Sequence, residues 1–373
     1  MPLTSLSVDE LALVVGALDN VQDVLNAASS SRALNAAARH LLTESKFFKA
    51  QKKRLGAFLR GVDRALTEAA IAIARADAMV IGTGAGMGVD SGLGTFRGSN
   101  AAVWPPLKAM GIDISEMSCP DRLEDDPRVA WAFWKWRYDA YTGCAPHKGY
   151  HLLAEWGARC LRGFRSITSN IDGHWIRTPG VGEARTVEMH GALTHMQHVK
   201  PSDRGEIWDA TREHYSALNV QRRTCWDEAR PNVLMFGETD DGTEGSQFNW
   251  QRLARQEEQF KRWWADVCAG GPHSKVVVVE VGAGTKVPTI REICEDLVFG
   301  EKPGSGRPRK LARPGPATLV RINLDEPNLR KLPCDDVRRA VGVGGLGALQ
   351  ALRMIDVKIA VIRRHFGSVD LRC

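Results

Sequence analysis

A run of glycines at alternate positions is the first stretch of this chain whose residues could do chemistry. Apolar residues at 78–81 lead into Gly82, Gly84, Gly86 and Gly88. A strand that ends in glycines lets backbone N–H groups approach a ligand, most often a phosphate, because no side chain is in the way. A glycine-rich turn in any α/β domain has a similar composition, and the spacing is not a strict G-x-G-x-x-G motif. The stretch therefore predicts a phosphate-binding loop whose ligand the remaining chain must identify.

Polar and ionisable residues follow several further predicted strands. Asn170 and Asp172 follow a strand predicted at residues 164–168, and His190 follows one predicted at residues 186–189. Three more strands, predicted at residues 233–236, 276–281 and 319–322, lead into the motifs Phe236-Gly237-Glu238, Gly282-Ala283-Gly284 and Asn323. In open parallel sheets, ligands bind at the carboxyl ends of the strands. We therefore expect these residues to line one site.

The elements between the motifs indicate the fold that positions them. Residues 276–281 are valine at every position but Glu280, which is typical of a strand buried on both faces. Apolar residues at helical spacing predict helices over residues 52–76, 252–268 and 287–297. Strands that alternate with helices predict an α/β fold, a Rossmann-like doubly wound parallel sheet with a smaller inserted domain and an N-terminal helical extension.

Aromatic residues are concentrated between the glycine run and the second predicted strand. Trp131, Phe133, Trp134, Trp136 and Tyr138 lie at helical spacing within residues 129–141. Such a stripe is more often core than a cofactor site, so we predict that it is core.

Composition narrows the class of protein. The chain has 373 residues, of which 43% are hydrophobic and 25% charged, with a net charge of +6, as in a globular protein of two or three domains. Its eight cysteines include no C-x-x-C pair, which favours reduced thiols and an intracellular location, cytoplasmic or nuclear. Neither a secretory signal nor a membrane span is recognisable. The basic stretch at residues 301–316 is rich in Pro and Gly, which favours a solvated loop over nucleic-acid contact.

The motifs, taken in their order along the chain, resemble the sirtuin family of NAD-dependent protein deacylases. The resemblance runs from about residue 60 to about residue 355, and residues 168–173, TSNIDG, are similar to bacterial-type members. It rests on six motifs: Gly84-Ala85-Gly86, Phe96-Arg97-Gly98, Asn170-Ile171-Asp172, His190-Gly191, Phe236-Gly237-Glu238 and Gly282-Ala283-Gly284.

This resemblance implies NAD+ as co-substrate and a role for each motif. The implied catalytic residues are His190 as general base, together with Asn170 and Asp172; histidine suits this role because its ordinary pKa of ~6.5 lies near working pH. The implied NAD-binding residues are Gly84, Ala85, Gly86, Phe96, Arg97, Ser169, Asn170, Asp172, Gly282, Ala283, Gly284 and Asn323. Phe236, Gly237 and Glu238 would begin the loop that pairs with an acyl-lysine peptide as an added strand. The implied reaction releases nicotinamide and O-acyl-ADP-ribose from an acylated-lysine protein substrate.

Two departures from the family pattern leave alternatives open. Gly94-Thr95 stands where the family has Pro-Asp before the Phe-Arg pair. Of the family's four zinc cysteines only Cys225 is present, with His198, Ser202 and Arg222 near the other positions, so we predict no structural zinc. An NAD glycohydrolase or ADP-ribosyltransferase on the same site, and a non-catalytic NAD-binding scaffold, remain the alternative functions.

The N-terminal residues form a separate segment in the predicted organisation. Residues 1–52 are predicted to form a helical extension. A sirtuin-like domain is predicted to follow at residues 53–373, with smaller-domain insertions near residues 98–160 and 191–231. Within residues 1–50 the pattern faintly resembles an F-box, which would dock a ubiquitin-ligase adaptor. A helical extension that packs on the main domain is the alternative.

Overall fold

A computed structural model describes most of the chain beyond its N-terminal segment. The described residues are 46–95, 105–199, 205–215, 229–238, 246–271, 274–300, 315–329, 332–335 and 338–370. The F-box-like pattern, the motif Phe96-Arg97-Gly98 and most of the basic loop lie outside them. The chain divides into two compact units, Met1–Leu66 and Thr67–Cys373, and every candidate site residue described below belongs to the second.

Helices and strands alternate through this second unit, as predicted. The described helices are α1 (Lys46–Ala74), which crosses the unit boundary, α2 (Ala85–Gly88), α3 (Pro105–Met110), α4 (Ile114–Met117), α5 (Asp121–Asp125), α6 (Pro127–Gly143), α7 (Lys148–Ala158), α8 (His174–Arg177), α9 (Gln251–Cys268), α10 (Thr289–Phe299) and α11 (Ala348–Asp370). The described strands are β1 (Ala78–Thr83), β2 (Phe164–Thr168), β3 (Thr186–Glu188), β4 (Gly191–His198), β5 (Ile207–Asp209), β6 (Ala229–Val233), β7 (Val276–Val281), β8 (Ala317–Ile322) and β9 (Arg338–Val343). None of these helices is long and apolar enough to cross a bilayer.

Six of the described strands form one parallel sheet in the order β3-β2-β1-β7-β8-β9. Every residue of β1 and β7 is buried, which agrees with their continuous apolar sequences. The chain proceeds from β1 outward to β3 on one side and from β7 outward to β9 on the other. The order thus reverses between β1 and β7, and this is where an open α/β sheet forms a ligand-binding crevice. The predicted doubly wound parallel sheet is confirmed.

A smaller antiparallel sheet, in the order β5-β4-β6, packs on the aromatic helix α6. Trp131, Phe133 and Trp134 of that helix are buried together with Leu193 and Tyr215. The prediction that the aromatic stripe forms core is therefore confirmed.

Several strands differ from the sequence prediction, which did not include β4 and β5 of the small sheet. The strand predicted at residues 233–236 is wrong, because β6 ends at Val233 and belongs to the small sheet. Beyond it the backbone turns to other partners: the Leu234 amide donates to His190 O at 3.0 Å, and the Phe236 amide to Ser118 O at 2.9 Å. The edge strand β9 was missed because its half-exposed sequence RRAVGV has little apolar pattern.

Candidate active site

The glycine loops that follow β1 and β7 are in close contact where the strand order reverses. A Cβ atom on Gly84 would lie 2.7 Å from both Ala283 Cα and Gly282 O. Gly282 has a φ of +64°, and a Cβ there would lie 2.4 Å from the Met87 amide nitrogen. Glycine is therefore required by the close approach of the loops that follow β1 and β7.

Two backbone amides of the first glycine loop donate hydrogen bonds to the opposing segment. Gly84 N donates to Val281 O, and Gly86 N donates to Gly282 O, each at 3.0 Å. Each of these two donors thus has a carbonyl acceptor in or next to the second loop, and the assignment of Gly84, Ala85 and Gly86 to NAD stays a prediction. Ala85 begins the single-turn helix α2 beside them, and Gly284, in the loop after β7, is exposed.

The segment after β2 is hydrogen-bonded to the first glycine loop. Asn170 Nδ2 donates to Gly84 O at 3.0 Å, and the Asn170 amide donates to Thr168 Oγ1 at the same distance. The Ser169 amide donates to Thr83 O at 3.1 Å. These bonds place the two predicted ligand residues at the carboxyl edge of the sheet, directly beside the loop after β1.

Asp172 is a buried carboxylate at the same edge. Its side chain accepts from the His174 amide at 2.8 Å, and a Cβ on Gly88 would lie 3.8 Å from its Oδ2. Burial raises the pKa of Asp172 to about 6, against the opposing effects of the His174 amide and the Arg177 guanidinium. An acceptor that is largely out of water binds a neutral amide donor strongly, provided that it stays ionised.

His190 follows β3 and lies close to the first residue of α10, the helix after the second glycine loop. Its Nε2 lies 3.4 Å from the hydroxyl of Thr289, the first residue of α10. The next residue, Gly191, has a φ of +70°, and a Cβ there would lie 2.1 Å from Asn232 O. Glycine must follow the histidine because β4 and β6 meet at that point, and Thr289 is a contact that the sequence did not reveal.

The loop after β8 is organised by Asn323. Asn323 Nδ2 donates to Ala283 O at 2.8 Å, and its Oδ1 accepts from the amides of Asp325 and Glu326 at 3.1 and 3.0 Å. Glu326 in turn accepts from Thr285 Oγ1 at 2.8 Å and from the Thr285 amide at 2.9 Å. The structure thus places Asn323 at the predicted edge, where its side chain joins the loops after β7 and β8.

The Phe236-Gly237-Glu238 motif combines an exposed residue with a buried anchor. Phe236 is 38% exposed, and Gly237 has a φ of +89°. Glu238 is buried and accepts two hydrogen bonds of 2.8 Å from the guanidinium of Arg230. It also accepts from the Gln247 amide at 2.9 Å, across residues 239–245, which lie outside the described part. The Glu238 side chain therefore closes this loop at its base.

His147 supports the glycine loop and was not singled out from the sequence. Its Nδ1 accepts from the Gly149 amide at 2.9 Å, and its Nε2 therefore carries the proton and donates to Met87 O at 2.8 Å. Burial lowers its pKa, which keeps the ring neutral. Its position just before α7 is the usual place of a helix N-cap, and that was the signal available in the sequence.

The zinc prediction is untested by these positions. His198 ends β4 with its ring centroid 5.0 Å from that of Trp208, while Ser202, Arg222 and Cys225 lie outside the described residues. Within the described residues, no group of three His, Cys, Asp or Glu side chains could hold a metal ion. One cysteine and one histidine do not make a complete tetrahedral site, so no step below is assigned to zinc.

Comparison with known proteins agrees with the geometry of this edge. The profile of the Sir2 family matches residues 84–256, from the first glycine loop into α9. An NAD-dependent protein deacylase of Deinococcus radiodurans is 30% identical over 180 residues, which cover 46% of this chain and 67% of that relative. The chain belongs to the Sir2 family.

Two further relatives are similar over a shorter part of their length. An NAD-dependent protein deacylase of Aeropyrum pernix is 31% identical over 178 residues, covering 48% of this chain and 66% of the relative. NAD-dependent protein deacylase 2 of Pyrobaculum aerophilum is 33% identical over 160 residues, covering 43% of this chain and 58% of the relative. The aligned region thus spans less than two thirds of these two proteins. A solved Sir2 homologue in complex with NAD is 19% identical, with a TM-score of 0.48, over 80% of this chain and 94% of that one.

Proposed function

We propose that the protein is an NAD-dependent protein-lysine deacylase that releases nicotinamide and O-acyl-ADP-ribose. The observation that carries the proposal is the meeting of Asn170, Asp172 and two glycine loops at the reversal point of a parallel sheet, with His190 following β3 at the same edge. Membership of the Sir2 family supports it.

The donor and acceptor groups of this edge suit a dinucleotide. The loops pack so closely that a Cβ at Gly84 or Gly282 would collide with backbone, and this contact holds the ends of β1 and β7 together at the reversal point. NAD+ supplies an N-glycosidic bond whose cleavage releases nicotinamide. We propose that Asp172 accepts a carboxamide N–H; its burial, and the attachment of the nearby Asn170 to the first glycine loop, support this role. Phe96 and Arg97, which we propose cover the ribose and pair with phosphate, lie outside the described residues.

His190 is the proposed general base. A general base must come within hydrogen-bond reach of the proton that it removes. Its Nε2 is 3.4 Å from Thr289 Oγ1, a long contact that a substrate hydroxyl could replace. The proton of a ribose hydroxyl would pass to this nitrogen.

The test is nicotinamide release from NAD+ with and without an acetyl-lysine peptide. We expect peptide-dependent release, a loss of at least ~100-fold in His190→Ala, and an unchanged rate in the control His214→Ala. His214 lies outside the site and its Nδ1 accepts from the Thr211 amide. Wild-type release in His190→Ala would refute the assignment of the base.

A second candidate function is NAD hydrolysis or ADP-ribosyl transfer on the same site. It is favoured by the loss of the zinc cysteines from the small domain, on the side of the peptide-binding loop, while the residues at the sheet edge are retained. Peptide-independent release in the same assay would support it. Release in neither case, with NAD+ still bound, would support the third candidate, a non-catalytic NAD-binding scaffold.

Two further expectations concern partners and location. We propose an acylated-lysine protein as substrate and an intracellular location, which is supported by cysteines that are scattered along the sequence without a C-x-x-C pair. Docking of a ubiquitin-ligase adaptor by residues 1–50 stays a prediction, and a pull-down with the full chain and a chain lacking these residues tests it.

A further inference from the structure

A line of three polar side chains leads from the end of α6 to the buried carboxylate of Asp172. Cys144 Sγ lies 3.4 Å from His174 Nε2, and His174 Nδ1 lies 3.8 Å from Asp172 Oδ2. His174 is fully buried and Asp172 is 4% exposed, whereas Cys144 is partly exposed. The proposed reaction leaves the thiol and the imidazole without a role.

The His174 ring is neutral, so the position of its one N–H proton decides what Asp172 faces. Burial, reinforced by the nearby Arg177, lowers the pKa of His174 to about 3. Within the described part of the chain, Nδ1 has no hydrogen-bond partner, and Asp172 is the acidic group that it faces. A neutral imidazole carries its proton on one nitrogen and a lone pair on the other.

Each tautomer suits one charge state of Asp172. With the proton on Nδ1, the N–H points toward the carboxylate and stabilises its charge, since a hydrogen bond to the charged form favours that form. With the proton on Nε2, a bare lone pair faces Asp172, which favours a protonated carboxyl group. The 3.8 Å separation is longer than a hydrogen bond and requires a small movement when substrate binds, as is common for catalytic groups without ligand.

The Cys144 thiol is the partner that makes both tautomers possible. A thiol can donate to Nε2 or accept from it. When it accepts, its own proton can go to Tyr141 O, which lies 3.5 Å from Sγ. The Cys144 carbonyl accepts from Arg177 at 2.9 Å and also bonds to the His174 ring. Because a carbonyl only accepts, it can pair with a ring N–H but not with a ring lone pair. Burial raises the pKa of the Cys144 thiol, so the thiol form is the one present at neutral pH.

We propose that Cys144 and His174 are positioning residues that hold the Asp172 carboxylate ionised and oriented for its carboxamide contact. The inference rests on the proposed function of Asp172, and it assigns the thiol and the imidazole a part in it. The other titratable or charged groups that act on Asp172 or are acted on by it are Arg177, His147, Tyr150 and Glu188.

The first test does not need activity. Long-range ¹⁵N–¹H spectra of histidine-labelled protein report which ring nitrogen is protonated, and His174→Leu identifies the signal. We expect the Nδ1–H tautomer at pH 7.5 and the Nε2–H tautomer at low pH, with a midpoint near the Asp172 pKa of about 6. Asp172→Asn should abolish the change. The same tautomer at both pH values in the wild type would overturn the inference.

The second test measures the acidic limb of the pH profile of nicotinamide release, as kcat/KM for NAD+. We expect His174→Leu and Cys144→Ala to shift the midpoint of this limb to higher pH by about one unit. The first variant removes the Nδ1–H donor, and the second removes the thiol that stabilises the Nδ1–H tautomer. His174→Asn, whose amide restores a donor near Nδ1, and Cys144→Ser, whose hydroxyl both donates and accepts, should keep the wild-type limb. Comparable thermal unfolding midpoints of the paired variants exclude misfolding as the cause.

The outcomes separate this inference from the proposed function. If the tautomer depends on pH but the protein releases no nicotinamide, the proposed function is refuted and the positioning role is not. In that case calorimetry should show that the pH dependence of NAD+ affinity is shifted to higher pH in His174→Leu, as expected for the acidic limb of kcat/KM. Equal limbs in His174→Leu and His174→Asn would overturn the positioning role, whatever the activity.

Discussion

Replacing Gly282 by alanine should separate the two loops on which the site is built. The new Cβ would lie 2.4 Å from Met87 N and 2.5 Å from the Gly86 carbonyl carbon, both backbone atoms that no rotamer change can move aside. The φ of +64° adds the strain of a left-handed conformation, about 1–2 kcal/mol for a residue with a Cβ.

The expected loss of stability follows from the hydrogen bonds that the larger side chain would lengthen. Opening the contact to an ordinary separation moves the loops apart by about 1 Å, which lengthens the bonds Gly84 N–Val281 O and Gly86 N–Gly282 O, now 3.0 Å each. Each is worth about 1 kcal/mol. Together with the backbone strain, we expect Gly282→Ala to lower the free energy of unfolding by about 3–4 kcal/mol.

The same motif contains a matched control. At Gly284 a Cβ would meet only Glu326 Oε2, at 4.0 Å, and the backbone φ is not in the left-handed region. Gly284→Ala should therefore change stability by less than about 0.5 kcal/mol. Urea unfolding followed by circular dichroism gives both values. Equal stability of the two variants would show that the close approach of the loops is not what requires glycine at position 282.

Three further predictions concern buried charges. Glu238→Ala should cost about 3–5 kcal/mol in urea unfolding, because it leaves Arg230 buried without its carboxylate, whereas replacing both by methionine should cost less; the reverse order would refute the ion-pair argument. Glu188 has its pKa raised to about 7 by burial, which outweighs the Arg252 guanidinium 2.7 Å away, so its contribution to stability is complete below pH ~4.5 and is lost as pH rises through ~7. Glu188→Gln should flatten that part of the stability–pH curve, and an unchanged slope would contradict the assignment. Asp172→Asn should remove the acidic limb of nicotinamide release near pH 6, where the native carboxyl titrates, and retention of the limb would assign it to another group.

The sequence by itself determined five of the six strands of the parallel sheet, their parallel class and the order of the motifs. The valine run of β7 and the apolar run of β1 are local signals, because burial on both faces demands apolar residues at consecutive positions. The positions of Asn170, Asp172, His190 and Asn323 at one edge follow from the same reasoning, since parallel strands end on the same side of their sheet.

Tertiary structure alone decided which groups remain available for chemistry. The amides of Gly84 and Gly86 bond to the last residue of β7 and to the residue after it, nearly 200 residues away along the chain, and this depends on the pairing of β1 with β7. Likewise Glu238 turns inward to Arg230, and His174 meets Cys144 across 30 residues. Hydrogen-bond partners are set by distances of a few tenths of an ångström between distant segments, and no local pattern of residue types carries that information.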